Sequence, residues 1–260
     1  MLNLNDSLPV TDTYTQVAVK TAVQDGNIQA FSDRLEDRLC EKIRQYPVVV
    51  GCVAWLTNKQ ILKALATRDA VQVVVQQEDF LRFDGNPNFS KEWLRQLYDA
   101  LPGPIGGSTC EYVKFGGYNV KWGGDLLDEC NTITGWFASP IRIVRVPDKD
   151  WNPVAMPRMH NKFLVFCDVE TLPYEQEIYD GHCAVKPCAV WTGSFNMTHN
   201  ATRSMENALF VQSESIAGFY YSYWQRILMV SDEIEESDWK KRPNRADADM
   251  YGTDEMRIGT

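Results

Sequence analysis

Apolar residues in the first part of the chain recur at the spacing of a helix. Asn27 can cap a helix that begins at the next residue, and Pro47 would end it. The intervals of three and four residues between apolar positions predict an amphipathic helix over this stretch. The positions that carry the pattern are Ile28, Phe31, Leu35, Leu39 and Ile43.

A strand, a helix and a second strand follow directly. Residues 48–56 and residues 71–75 are continuous apolar runs, each with the length of a buried strand. Between them, Asn58 can cap a short helix that extends to Ala66. A βαβ unit with short connections implies parallel strands with helices packed on the faces of the sheet.

The rest of the chain continues this alternation. A helical pattern at residues 90–101 is followed by strands at 141–146, 162–167, 188–191 and 207–211, and by a helix from Ser215. The apolar stripe on this last helix is more typical of core than of a dimer surface: Ile216, Phe219, Tyr220, Tyr223 and Ile227. We therefore predict an α/β fold with a mixed, largely parallel sheet flanked by helices on both faces.

Composition divides the chain into one domain with two extensions. We expect an N-terminal arm at residues 1–26, a single domain at 27–230 with an insertion at about 81–140, and an acidic tail at 231–260. Within the insertion, residues 103–124 hold seven glycines among aromatic residues. Two interpretations remain open for this segment, a substrate-facing rim and a glycine-rich hairpin that covers the core.

The composition is that of a globular protein with a sizeable core. Hydrophobic residues make up 44% of 260 residues, and the longest apolar run, 48–56, is too short to cross a bilayer. The first residues lack the pattern of a signal peptide, so we expect a cytoplasmic protein that does not bind membranes. Seven scattered cysteines indicate reduced thiols, although Cys183 and Cys188 near His182 leave a metal cluster as an alternative. Their spacing fits no common zinc pattern, so we expect neither a metal nor a cofactor.

The charge is unevenly distributed. The net charge of −9 argues against a protein that coats nucleic acid, but nine acids against five bases at residues 231–260 account for −4 of it. A partner that offsets the acidic charge is left open. The segment from 142 to 162 has the opposite character, with five basic residues that could contact a nucleic acid strand: Arg142, Arg145, Lys149, Arg158 and Lys162.

Two short motifs carry the candidate chemistry. His160 and Lys162 are two residues apart at the start of a predicted strand, so their side chains share one face. An imidazole can attack phosphorus or transfer a proton, and an ammonium can neutralise a phosphoryl oxygen. The segment from Gly193 to Asn196 ends another strand, where the glycine permits close approach of a ligand and Ser194 offers a neutral hydrogen-bond donor.

These motifs, with Glu206 and Asn207 downstream, resemble the phospholipase D superfamily, and in particular its single-motif, endonuclease-like members. That family combines His-x-Lys and a following Asp with Gly-Ser-x-Asn and a later Glu-Asn. The family Asp would fall at Cys167, and the nearest aspartate is Asp168. A one-residue shift moves a side chain to the other face of a strand unless a β-bulge restores the register. For Asp168 the resemblance implies a structural role.

The resemblance implies a metal-independent phosphodiesterase that cleaves DNA or RNA. His160 would form a phosphohistidine, and a second histidine would protonate the leaving oxygen and later activate water. Lys162 and Asn196, together with Ser194 and the adjacent Gly193, would hold the non-bridging oxygens. Glu206 would accept a hydrogen bond from His160 and fix its tautomer.

The mechanism needs two histidines, and the chain holds three, of which only His160 is followed by a lysine at the required spacing. We therefore expect a homodimer in which two copies of His160 face each other across the two-fold axis. Lys114 and Lys121 would contact phosphates, and Arg158 is either a phosphate guide or an ordinary surface cation. The alternative functions are a phospholipid hydrolase or phosphatidyl transferase, and a non-catalytic nucleic-acid-binding module that keeps the fold.

Overall fold

A computed structural model describes eight segments of the chain: residues 3–7, 21–77, 92–103, 112–115, 118–121, 139–145, 159–171 and 183–235. Nine strands form one sheet in the order β1-β2-β10-β9-β8-β3-β4-β7-β11, and β5 and β6 form a separate pair. The strands are β1 (Ala22–Asp25), β2 (Ile28–Phe31), β3 (Val48–Val53), β4 (Ala70–Gln76), β5 (Tyr112–Phe115), β6 (Tyr118–Lys121), β7 (Ile141–Val144), β8 (Lys162–Thr171), β9 (Cys183–Gly193), β10 (Ala208–Gln212) and β11 (Asp232–Glu233). The helices are α1 (Leu35–Ile43), α2 (Lys59–Leu65), α3 (Glu92–Asp99) and α4 (Glu214–Leu228), with short 3₁₀ turns at Leu4–Ser7 and Ala201–Arg203.

The large sheet is mixed, but the expectation that it is largely parallel is wrong. Of its eight strand pairings, only β3–β4 and β4–β7 are parallel, and the other six are antiparallel. The predicted βαβ unit supplies the parallel part through α2. The strands β8, β9 and β10 lie side by side with no α-helix between them in the described residues. Strands that return without a crossover helix pair antiparallel.

Helices cover both faces of the sheet, as predicted. Leu39 of α1, Ile61 of α2 and Leu94 of α3 are buried in one core cluster with the large side chains of the sheet. Trp224 of α4 is buried in a second cluster on the opposite face. Alternate residues of β8 divide between the two clusters, because Leu164 belongs to the first and Phe163 to the second.

The predicted first helix is shorter than expected. Residues Ile28–Phe31 form β2, which pairs with β1 and β10, and α1 begins only at Leu35. Gly26, at φ 54°, lies in the turn between β1 and β2, so Asn27 is part of a hairpin and not a helix cap. The spacing from Ile28 to Phe31 to Leu35 fits one continuous helix, but it fits a strand followed by a helix equally well. The cap predicted for α2 is confirmed, because the Asn58 side chain accepts hydrogen bonds from two backbone N–H groups.

The apolar stripe predicted as the core side of α4 lies only partly on the core. Tyr220, Tyr223 and Ile227 are half-buried and pack against the second core cluster, whereas Phe219 and Ile216 are 66% and 40% exposed. Tyr221 and Trp224, which are buried in this cluster, were not part of the predicted stripe.

The start of the predicted acidic tail is ordered on the sheet. Strand β11 pairs with β7, and the buried guanidinium of Arg142 donates hydrogen bonds to the hydroxyl and carbonyl oxygens of Ser231. Arg145 forms ion pairs with Asp232 and Glu235. The expectation that Arg142 contacts a nucleic acid is therefore wrong, because its side chain is buried, and for Arg145 it stays a prediction.

The remaining domain predictions are only partly within the described residues. Residues 22–25, assigned to the arm, form β1. Within the glycine-rich segment, β5 and β6 pair antiparallel, which agrees with the hairpin, one of its two interpretations. Residues 236–260 of the tail and most of the insertion lie outside the described residues, and the domain boundaries stay predictions. Within the described segments, no helix has the length and apolar character needed to span a membrane.

Candidate active site

Sheet register brings the separate motifs to one edge. Lys162, the first residue of β8, pairs with Val53, the last residue of β3. Strand β9 runs antiparallel to β8 and ends at the same edge with Gly193, which pairs with Ala208 at the start of β10. Three segments therefore meet at this edge, as the motifs indicated. They are the segment before Lys162, the segment after Gly193 and the segment before Ala208.

His160 and Lys162 are in direct contact. The Lys162 Nζ atom lies 3.2 Å from Nδ1 and 3.1 Å from Nε2 of His160, and donates to the His160 carbonyl oxygen at 3.1 Å. The His160 ring is exposed and meets the ring of Trp55 edge to face, with centroids 5.7 Å apart. An ammonium this close to the imidazole is placed to reach an oxygen of any phosphoryl group that the ring attacks.

Burial changes the acidity of the lysine. Desolvation lowers the pKa of the half-buried Lys162 ammonium below its ordinary value, and the negative charge of Glu206 partly opposes this effect. Glu206 is thus close enough to Lys162 to stabilise its charge. The lysine therefore loses its proton more readily than a surface lysine.

Ser194 joins the segment after β9 to the segment before β10. Its hydroxyl donates a hydrogen bond to the Glu206 carboxylate and accepts one of 3.0 Å from the backbone N–H of Asn207. Its own N–H donates to the Asn207 carbonyl oxygen at 3.1 Å. Gly193 permits this approach, because a Cβ atom there would lie 2.2 Å from the Asn207 carbonyl oxygen. Three predicted site residues therefore form one connected unit.

Asn196 is buried at the same edge, with 7% of its surface exposed. Its Oδ1 atom has no hydrogen-bond partner among the described residues. The backbone around it is fixed, since the next residue, Met197, accepts hydrogen bonds of 2.9 Å from the N–H groups of Thr57 and Asn58. A buried amide oxygen without a partner is rare in folded proteins, so Asn196 has an acceptor open at this end of the strands.

A functional residue that the sequence interpretation missed is Gln76. It is buried at the end of β4, and its Oε1 atom accepts a 2.7 Å hydrogen bond from the backbone N–H of Met159, the residue before His160. Its Nε2 atom donates to the carbonyl oxygens of Gln77 and Val144 at 3.3 Å. The only sequence signal was a polar residue at the end of an apolar strand.

Asp168 lies well along β8 from Lys162 and away from this edge. The register irregularity between β8 and β9 falls after Phe166, but its extra residue, Cys188, belongs to β9. It therefore leaves the alternation of β8 unchanged: Cys167 is buried and Asp168 is exposed, where it accepts a hydrogen bond from the Cys188 thiol. Burial raises the pKa of the Cys188 thiol to about 11, which keeps it a donor. The structural role of Asp168 stays a prediction.

Other predicted contacts are not tested. Arg158 and His182 lie outside the described residues, and only the backbone is described at Lys114 and Lys121. His199 is exposed and lines a cavity on the α1 side of the sheet. In the described part of the chain, no cluster of three or more His, Cys, Asp and Glu side chains is arranged to hold a metal ion.

Comparison with known proteins gives one sequence relative and several structural likenesses. No protein-family model matches the chain. The uncharacterized protein L381 of Acanthamoeba polyphaga mimivirus is 28% identical over 231 residues, covering 84% of this chain and 70% of the relative. NucT from Helicobacter pylori superposes with a TM-score of 0.44 at 15% identity, over 80% of this chain and 98% of NucT. Nuc from Salmonella typhimurium, a phospholipase D family member, superposes with a TM-score of 0.42 at 15% identity over the same shares of the two chains.

Proposed function

We propose that this protein is a phosphodiesterase that cleaves nucleic acid through a covalent phosphohistidine on His160, without a metal ion. The observation that carries the proposal is the contact of the Lys162 ammonium with both ring nitrogens of an exposed histidine. The Ser194 and Glu206 pair beside Lys162, and the buried Asn196, supply the remaining polar groups that phosphoryl transfer requires.

The first step is attack of a His160 ring nitrogen on phosphorus. As the new P–N bond forms, the bond from phosphorus to the leaving oxygen breaks, and that oxygen takes a proton from a second histidine. Lys162 turns from the ring to a non-bridging oxygen, and the Asn196 amide and Ser194 hydroxyl donate to the same oxygens. These groups stabilise the charge of the five-coordinate phosphorus.

The second step releases the product. The second histidine, now neutral, takes a proton from water as the water oxygen attacks phosphorus, and the P–N bond breaks to return the electron pair to His160. The products are an alcohol and a phosphate monoester. Glu206 supports both steps by favouring the charged form of Lys162, and it holds the Ser194 hydroxyl until that hydroxyl turns to the phosphate.

We propose that the second histidine is His160 of a partner subunit. His160 is exposed at the sheet edge, so two copies can approach each other across a two-fold axis. His199, the other histidine in the described residues, lines the cavity on the α1 side of the sheet. The variant His199→Ala is the matched test, because a site shared by two copies of His160 predicts that it retains activity.

We propose a nucleic acid as the substrate because an aromatic ring lies beside the nucleophile. The Trp55 ring, half-buried and in contact with His160, is placed to stack against a base next to the scissile phosphate. Arg142 is buried and Arg145 forms ion pairs with acids of the tail, so within the 142–162 segment the cations that would guide the strand are Lys149, Arg158 and Lys162.

The test is cleavage of labelled single- and double-stranded DNA and RNA in excess EDTA by the wild type, His160→Ala and His199→Ala. We expect that, of the two variants, only His160→Ala loses cleavage. We also expect that an acid-labile phosphoprotein can be trapped with the wild type. Equal cleavage by the wild type and His160→Ala would exclude the mechanism. Sedimentation mass tests the dimer separately, and a monomer that retains full activity would exclude the shared site.

A further inference from the structure

A cavity of about 690 Å³ lies on the α1 side of the sheet, next to the candidate active site. Its walls are residues 32–37, residues 57–60, Trp93 and parts of the loop at 195–206. The volume is within the range of sites that hold small organic molecules. Glu206 is common to both regions, since it lines the cavity and also accepts the hydrogen bond of Ser194.

The charges around the cavity disfavour a second phosphate. Two of the four carboxylates that line it are neutralised by ion pairs, Asp37 by Arg34 and Asp33 by Arg38, which leaves Glu36 and Glu206 against Lys59, an excess of one negative charge. A phosphate placed among these carboxylates would be repelled. The phosphate group of a substrate therefore belongs beside Lys162, and the group that enters the cavity is uncharged. The charged lining residues are Asp33, Glu36, Asp37 and Glu206, with Arg34 and Lys59.

The aromatic residues disfavour a cationic headgroup. The Lys59 ammonium lies over the Trp93 ring, 4.5 Å from its centroid, and the Phe195 ring is buried. A quaternary ammonium ligand needs open aromatic faces. In this cavity the lysine already occupies such a face, and a second cation near it would be repelled.

The polar groups suit a flat molecule with both donors and acceptors. Glu36 accepts a hydrogen bond from the Asn58 side chain and keeps further lone pairs, and the Lys59 ammonium supplies a donor, while Arg34 already donates to Asp37. A carboxylate accepts hydrogen bonds from the exocyclic amino group of a base, and cations donate to its ring nitrogens and carbonyl oxygens. Thymine and uracil instead present two carbonyl oxygens around a single N–H, and these oxygens would face carboxylates.

We infer that the cavity binds the nucleoside attached to the scissile phosphate and favours bases with an exocyclic amino group over thymine and uracil. This inference rests on the proposed function, because it places the phosphate at His160 and Lys162 and the base beyond Glu206. It adds a base preference on one side of the cleaved bond.

Binding tests the cavity without catalysis. Full-length protein with His160→Ala is titrated calorimetrically with deoxycytidine, thymidine and choline. Deoxycytidine is expected to bind about tenfold more tightly than thymidine, as for one well-placed base contact. Glu36→Gln in the same background should lose the preference, whereas Glu41→Gln, on the same helix but outside the cavity, should keep it. Equal binding of the two nucleosides, no binding of either, or binding of choline alone would overturn the inference.

Turnover tests the link to the active site. The substrates are bis(p-nitrophenyl) phosphate and the p-nitrophenyl phosphodiesters of deoxycytidine and thymidine. The ratio of kcat/KM for the deoxycytidine ester to that for the thymidine ester is expected to fall about tenfold in Glu36→Gln and to stay unchanged in Glu41→Gln. If Glu36→Gln does not fold, Lys59→Gln replaces it. If both Glu36→Gln and Lys59→Gln leave this ratio unchanged, the cavity inference is overturned and the proposed function is not affected. If the wild type hydrolyses none of the esters, the proposed function is overturned. The titration with nucleosides then remains the test of the cavity.

Discussion

The buried side chain of Gln76 holds the backbone N–H of Met159 through a 2.7 Å hydrogen bond, although the two residues are 83 positions apart in the chain. The amide of Gln76 also donates to the carbonyl oxygen of Val144 at the end of β7. One side chain therefore joins the ends of β4 and β7 to the residue that precedes His160. If His160 is the nucleophile, as proposed, Gln76 is a positioning residue, because it bonds to the backbone beside His160.

Replacing Gln76 with leucine should impair catalysis more than substrate binding. The change leaves the Met159 N–H without its partner, which costs about 1–3 kcal/mol in free energy of unfolding, and lets the backbone at His160 move. We expect kcat on bis(p-nitrophenyl) phosphate to fall at least about tenfold with little change in KM, since misplacement of a reacting group acts mainly on the chemical step.

The control for this variant is Gln72→Leu. Gln72 is also buried on β4, and its side chain donates to the Ser139 carbonyl oxygen, away from His160. It should lower the free energy of unfolding to a similar extent and leave kcat unchanged. Equal loss of kcat in the two variants would mean that Gln76 contributes only stability.

Removing the charge of Glu206 should move the alkaline limb of the pH profile to lower pH. Burial lowers the pKa of Lys162, and the Glu206 carboxylate raises it, so Glu206→Gln removes the raising effect and the pKa falls further. Activity that needs the ammonium is lost as pH rises through this pKa. The limb in a plot of log kcat/KM against pH therefore shifts to lower pH, whatever the change in absolute rate.

Glu214→Gln is the matched control for this shift. Glu214 is an exposed carboxylate that pairs with Lys186 at 2.9 Å. Its removal should leave the alkaline limb in place. A limb that stays fixed in Glu206→Gln would show that Lys162 is not the group that titrates.

Local spacing made the active site predictable from the sequence to a large extent. Alternation placed His160 and Lys162 on one face at a strand end, and the resemblance to a known family joined them to the segment from Gly193 to Asn196. The contact between Gln76 and Met159 depends on how β4 and β8 are placed in the sheet. No local pattern encodes that placement.

The errors in the fold prediction have the same origin. Ile28 and Phe31 fit a helical spacing, but pairing with β10 makes them a strand. Arg142 and Arg145 look like a basic surface until β11 brings tail acids beside them. In each case a partner distant in sequence decided the outcome, as tertiary contacts commonly override local propensity.

Alanine at Gly193 should disrupt the site, and alanine at Gly218 should stabilise the protein. A Cβ atom on Gly193 would lie 2.2 Å from the Asn207 carbonyl oxygen and 2.8 Å from the Ala208 Cα atom, both backbone atoms that cannot move away locally. We expect a cost of about 3 kcal/mol, typical of severe overpacking, and loss of the contact between Ser194 and Glu206. Denaturant unfolding and turnover check both effects.

Gly218 offers the opposite case. It lies within α4, has a helical backbone, and a Cβ atom there would meet nothing within 4 Å. Gly218→Ala should therefore raise the free energy of unfolding by about 0.5–1 kcal/mol, because alanine loses less backbone freedom on folding.

For the first variant, an unchanged free energy of unfolding in Gly193→Ala would contradict the close packing of the strand ends.

The salt dependence of nucleic acid binding should separate Lys162 from the arginines of β7. In the His160→Ala background, a cation that contacts a phosphate contributes about one unit to the slope of log K against log salt. Lys162→Gln should reduce this slope by that amount. Arg145→Gln should leave it unchanged, because Asp232 and Glu235 already pair with Arg145. Fluorescence anisotropy of a labelled oligonucleotide between about 50 and 200 mM salt measures both slopes. A reduced slope in Arg145→Gln would place the strand along β7 and would show that the ion pairs with β11 open on binding.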